Sequence, residues 1–157
     1  MPLVQGQLQS SLQGQWLASE RSSYPPSAAE SGNRFAQAVA SWFGSAQAAG
    51  LPCATATARM SQLAQLAGQA LQARTATAAG NALAQAVAQY IQGQVFGAGL
   101  AQFPLALSAA QAQIGAVLAN LGISSADRAQ GIAGACTALA TSTIVTFQVP
   151  PYTAPIT

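Results

Sequence analysis

Apolar residues recur along this chain with a helical period for most of its length, then switch to a strand period at its end. Val4, Leu8, Leu12 and Trp16 are spaced four apart. That spacing predicts a short amphipathic helix, weakened by Gly6 and Gly14 and stopped at "SSYPPS", where Pro25 and Pro26 require an extended turn. Ser27 and Glu30 then have capping-box spacing. Phe35, Val39, Trp42 or Phe43, and Ala46 form one apolar stripe, and Gly50 followed by Leu51 and Pro52 reads as its stop.

Two stretches come next, "TATARMSQLAQLAGQALQ" from Thr55 and "TATAAGNALAQAVAQYIQ" from Thr75, offset by 20 with nine of eighteen aligned positions identical. At about 100° per residue, that shift rotates a helical pattern by about 200°. Leu63 and Leu83 would then face opposite ways in one unbroken helix. A break near "TATAAGN" is expected instead, giving helices at about 57–73 and 80–96. Ser108 and Gln111 have capping-box spacing ahead of Ile114, Val117, Leu118 and Leu121, with Gly122 as the stop. The last helix is expected to start at Ser124 or Ser125, with Asp127 in its first turn, and to bury Ile132, Ala135, Cys136 and Leu139. From 143 to 149 the run is β-branched and alternating, closed by Pro150 and Pro151.

These elements predict an all-α fold: a bundle of five or six helices with an extended, β-type C-terminal tail. Residues 1–26 form an N-terminal helix and Pro-bounded linker, 27–140 the bundle and 141–157 the tail. Trp42, Phe43, Leu63, Leu66, Leu83, Val87, Ile114, Leu118 and Leu139 are its expected core.

Composition changes the picture at the surface. Charged residues are 5% of the chain, against about 25% in ordinary soluble domains. The eight are Glu20, Arg21, Glu30, Arg34, Arg59, Arg74, Asp127 and Arg128. So few charges give poor protection against association, so much of the surface is expected to be covered by other protein. Helix contacts that are largely Ala on Ala bury little area each, which points the same way.

The net charge of +2 is small and scattered, without the clustered Lys and Arg that phosphate backbones demand. No sequence-specific nucleic-acid partner is expected. The opening "MPLVQGQLQ" lacks the basic and apolar regions of a secretory signal. Residues 95–123 are the most apolar stretch, but Gln102, Gln111, Gln113 and Pro104 interrupt them, and a spanning helix needs about 20 predominantly apolar residues. Membrane insertion is not the leading expectation. Cys53 and Cys136 read as small buried hydrophobes rather than a disulfide or metal pair.

Catalytic chemistry has little to work with. The chain contains no His and no Lys, so a Ser or Cys nucleophile lacks its usual base and a Walker-type phosphate loop lacks its Lys. The three carboxylates are far apart in sequence, which disfavours a hydrolytic metal centre or a paired-carboxylate site. "GQVFGAG" is glycine-rich but follows no predicted strand. No catalytic, cofactor-binding or metal residue is assigned, and no enzyme is expected.

The stretch "YPPSAAESGNRFAQAVASWFGSAQAAG", residues 24–50, followed by Ala/Gln/Thr-rich helices, resembles small alanine-rich virion structural proteins of tailed bacteriophages. Their head–tail adaptors combine a small helical bundle with an extended C-terminal tail that docks on a neighbouring ring. The resemblance is of style, without a diagnostic motif, and this chain departs from it in its few charges. It implies a head–tail connector or another neck or tail component, assembled in the host cytoplasm and located in the virion, with copies of itself in a homo-oligomeric ring and neighbouring virion proteins as partners.

The tail fits that role as a clamp. No second strong strand is evident to pair with it, so strand addition to a neighbour would satisfy its backbone. Val145, Phe147, Val149, Tyr152 and Ile156 are the candidate partner-binding residues. A membrane-active, holin-like protein, suggested by the absence of charge between Arg74 and Asp127, and a secreted helical partner protein, suggested by "WFG" at 42–44, stand as alternatives.

Overall fold

Ser27, Thr75 and Ser124 stand at intervals of 48 and 49 residues, and each opens a helix in the same way. In the computed structural model, which describes residues 2–17 and 27–157, each side-chain oxygen accepts the backbone N–H three residues on, from Glu30, Ala78 and Asp127 at 3.1 Å. Such a cap satisfies one of the amides that a helix start leaves without a partner.

In chain order, α1 (Gln5–Ser11) runs into a π-helical turn (Leu12–Trp16). Then come α2 (Ala28–Phe43), the hairpin β1 (Gln47–Ala48) and β2 (Leu51–Pro52), and α3 (Met60–Ala70). Next are α4 (Ala76–Ile91), the hairpin β3 (Val95–Phe96) and β4 (Gly99–Ala101), and α5 (Leu107–Ala119). The chain finishes with α6 (Ser125–Thr141) and the hairpin β5 (Ile144–Gln148) and β6 (Pro151–Pro155). The fold is mostly helical, but it is not purely α. Pro25 and Pro26, where a turn is expected, lie outside the described residues.

The arrangement repeats a helix followed by a hairpin. "GNRFAQAVA" at 32–40 and "GNALAQAVA" at 80–88 agree at seven of nine positions. Buried positions repeat with the same interval: Phe35, Val39 and Trp42 in α2, Leu83, Val87 and Tyr90 in α4, and Ile132, Cys136 and Leu139 in α6. All nine belong to one core. The repeat at an offset of 20 has no such counterpart. Thr75 caps α4, whereas α3 has no side-chain cap and Thr55 instead accepts the backbone N–H of Val95.

Each hairpin is tied by equivalent bonds. Cys53 donates to the Ala46 carbonyl, Ala101 to Gln94 and Ile156 to Thr143. The residue after each donor then reaches the next hairpin: Ala54 to the Val95 carbonyl, Gln102 to Ile144 and Thr157 to Gln47, each at 2.8 Å. β3, β4, β5 and β6 form one antiparallel sheet, and bridges at Cys53–Phe96 and Ala48–Ile156 join it to the β1–β2 hairpin at both ends. The six strands therefore close into a ring. Phe96, Val145, Phe147 and Ile156 are buried in it.

Within a repeat, the helices that flank a hairpin touch backbone to backbone. A Cβ at Gly32 would fall 2.5 Å from the Gly68 nitrogen, and one at Gly80 would fall 2.5 Å from the Gly115 Cα. Only glycine permits that approach, and it compensates for the small area that alanine surfaces bury.

Several expectations are corrected. α2 stops at Phe43, not at Gly50, because Ala49 and Gly50 take positive φ values to turn the β1–β2 hairpin. α4 stops at Ile91, and positive φ at Gly93 and Gly97 places Val95 and Phe96 in a strand. Ser108 is not a cap: α5 begins at Leu107 behind Ala106, without a side-chain cap bond. Leu66 and Leu118 are only partly buried, and Leu121 is 88% exposed beyond the end of α5. The other expected core residues are buried. The C-terminal run is a strand as expected, but it has partners within its own chain, β4 on one side and β6 on the other.

Candidate partner-binding surface

The third hairpin differs from its two counterparts in length. It spans 143–156 between its equivalent bonds, six residues more than 46–53 or 94–101. The Ile144–Pro155 pair corresponds to Val95–Leu100 and Gln47–Pro52, so the extra residues lie beyond Val145 and Ala154. They carry the hairpin tip past the closed part of the ring.

Alternation places the five candidate contact residues differently. Val145 and Phe147 share the inward face with Gly99 and Ala101 of β4. Gly99 leaves room for them, since a Cβ there would lie 2.6 Å from both Phe147 Cε1 and Val145 Cγ1. Tyr152 stacks on Phe147 with ring centroids 4.3 Å apart and planes 5° from parallel. Val145, Phe147 and Ile156 are thus buried by their own chain, while Val149 is 87% and Tyr152 42% exposed. Leu100 and Ile144 are also exposed, on the outward face that alternates with Val145 and Phe147.

The prolines protect the free edge. Ile156 donates to Thr143, so antiparallel alternation makes Val145–Ala154 and Phe147–Tyr152 the next hydrogen-bonded pairs. Pro151, Thr153 and Pro155 fall between them and turn their backbone away from β5. Two of those three have no N–H to offer, which blunts the edge against another strand. Proline, which suits sheet edges rather than centres, is accordingly confined to β6, which meets β1 only past Pro155. β5, without proline, is a central strand.

Two of the described cations, Arg59 and Arg128, serve helix ends. Arg34 pairs with Glu30 at 3.2 Å along α2. Arg59 donates to the carbonyls of Tyr90, Gln92 and Gln89, and Arg128 donates to the Asn120 carbonyl at 3.0 Å. Cations at helix C-termini complement the carbonyl dipoles there. Arg74 is exposed.

Buried polar groups are likewise structural. Gln94 and Thr143, at equivalent positions, each bond back to the carbonyl four residues earlier, in Tyr90 and Leu139. Gln94 Oε1 also accepts from the Thr55 hydroxyl and, at 3.4 Å, from the Cys53 thiol. Burial raises the pKa of Cys53 and pushes that of Cys136 up to about 12. Neither thiol is activated as a nucleophile. Among the described residues, no three His, Cys, Asp or Glu side chains come together to hold a metal ion, and no helix is long and apolar enough to cross a membrane. Trp42 and Phe43 lie inside α2, with Gly44 at its C-cap, so "WFG" is not an interhelical turn.

The hairpin tip is the surface that sequence reasoning only partly located. Val149 and Tyr152 are found by strand alternation and proline content. Leu100 is missed because a three-residue strand carries too little pattern to recognise. No family model, curated protein or solved structure matches this chain.

Proposed function

We propose that this chain is a non-enzymatic structural protein of a tailed bacteriophage virion, a head–tail connector or other neck or tail component. It is present as repeated copies that dock on their neighbours through the tip of the third hairpin. The supporting observation is the overhang itself. One hairpin of three outgrows the ring and carries exposed Val149 and Tyr152. Ring closure needs neither residue, and a large exposed aliphatic side chain at a strand tip invites association. The scarcity of charge supports the same reading. Docking uses side chains rather than strand addition, because Pro151 and Pro155 leave the outer edge of β6 short of donors.

The test is Val149→Glu, alone and combined with Tyr152→Thr, in particles assembled with the variant as the only source of this chain. Purified particles are analysed by quantitative mass spectrometry. Val149→Glu is expected to melt like the parent and the double variant somewhat lower but still cooperatively, since Tyr152 covers Phe147, and both are expected to be lost from particles. Normal stoichiometry with both substitutions overturns the docking role, and absence of the unmodified chain from particles overturns the virion assignment.

A further inference from the structure

Among the described residues, two repeats run helix, hairpin, helix, and a third place beside a helix and its hairpin is that next to α6, β5 and β6. α1 occupies that place. On one side it lies along α6: Gln5 approaches Gly134, where a Cβ would come 3.4 Å from Gln5 Nε2, while Ser10 and Leu17 line one groove with Ser125. The start of α1 is thus near the later part of α6 and its end near the beginning. This is the antiparallel sense in which α3 meets α2 and α5 meets α4, through Gly68 with Gly32 and Gly115 with Gly80.

On its other side, α1 meets the next repeat. Val4 and Gln7 share a groove with Ser41 and Trp42 at the end of α2. Trp16 Nε1 donates to Ser31 Oγ at 2.7 Å near its start, and the Trp16 ring packs edge-on against Phe35 at 4.9 Å. Leu8, Leu12 and Trp16 are buried in the common core. α1 therefore bridges α6 and α2 as α3 bridges α2 and α4, and as α5 bridges α4 and α6.

We propose that the described residues form a three-repeat ring in which α1 takes, beside α6, the place that α3 and α5 take beside α2 and α4, as the strap that fastens α6 to α2. The strap acts through its position, not through its covalent link to α2 across residues 18–26. This inference does not depend on the proposed virion role.

The experiment is a circular permutant that joins Thr157 directly to Met1 and opens the chain within 18–26. It is expected to keep the parent's helical circular dichroism, its buried tryptophan emission and a melting temperature within about 5 °C of the parent. A folded permutant with exposed tryptophan overturns the proposal, as does one melting more than about 10 °C lower. If the new junction prevents folding, the unpermuted chain decides the matter. Leu8→Ala combined with Leu12→Ala, at two α1 positions buried in the common core, is expected to lower the melting temperature by more than about 10 °C. A double variant that melts like the parent overturns the strap.

Discussion

At the scale of single residues, the most demanding positions are glycines with nothing where a side chain would be. Gly80 sits against the backbone of Gly115, and a Cβ would meet that backbone at 2.5 Å. Alanine is the better helix former by about 1 kcal/mol, but backbone cannot swing aside as a side-chain tip can. Gly80→Ala is therefore expected to lower stability by about 1–3 kcal/mol. Gly6, also helical, has nothing within 4 Å, and Gly6→Ala should be neutral or raise stability by about 0.5 kcal/mol. Urea unfolding of both variants checks the contrast; equal effects would mean the helices are not in backbone contact at Gly80.

Cys136 makes a second prediction at this scale. Burial pushes its thiol up to about 12, and burial also raises the Tyr90 phenol. An unfolded thiol loses its proton near about 8.5. Between those values the unfolded chain holds fewer protons than the folded one, so stability is full below about pH 8.5 and falls as pH rises, by up to about 1.4 kcal/mol per pH unit for this group. With no His in the chain, little titrates between about pH 5 and 8. Denaturant unfolding from pH 6 to 10.5 should give a plateau and then a decline, shallower in Cys136→Ala. A flat profile to pH 10.5 would contradict the burial of that thiol.

At the scale of elements, legibility followed length and capping chemistry. Helices with a Ser cap, an acid three residues on and a buried stripe are readable: Ser27 with Glu30 and Ser124 with Asp127 operate as bonds. Two helices do separate Leu63 from Leu83, but Thr75 caps α4 and the helix begins at Ala76, so most of "TATAAGN" is helical where the start is expected at about 80. Ser108 with Gln111 has the same spacing, yet the helix begins one residue before Ser108. The spacing alone does not set the start when Ala106 and its bond to the Ser142 hydroxyl fix the backbone there. The two short hairpins escaped because strands of two or three residues show no alternation. Gly50 as a helix stop is half right: it follows a helix, but as a turn residue of a hairpin, and Gly97 does the same after α4. Missing β4 made β5 look unpartnered, and that made a self-paired strand look like a tail. Of the candidate contact residues, burial of Val145, Phe147 and Ile156 followed from partners that the pattern could not show.

At the scale of the whole molecule, the question is whether the C-terminal hairpin is an appendage or part of the body. The interval of 48 between "GNRFAQAVA" and "GNALAQAVA" is visible in the sequence, but α6 keeps only the pattern of burial, so the third repeat is recognised through its bonds. Those bonds make the hairpin part of the ring. Thr157 and Gln47 exchange backbone hydrogen bonds at 2.8 and 2.9 Å, and Val145, Phe147 and Ile156 fill the space over Gly99, Ala101 and Ala48. Removing residues 143–157 would break both seams of that hairpin. It would also withdraw three large buried side chains, each worth about 1.5–3 kcal/mol, from a fold whose whole margin is of order 5–15 kcal/mol. The truncated chain is expected to be insoluble, or to keep helical circular dichroism while binding hydrophobic dye and losing a cooperative melt. Val149→Glu, at the exposed tip, should melt like the parent. If the truncated chain were a soluble monomer melting cooperatively near the parent temperature, the ring would not be what holds this molecule together, and the hairpin would be a free arm after all.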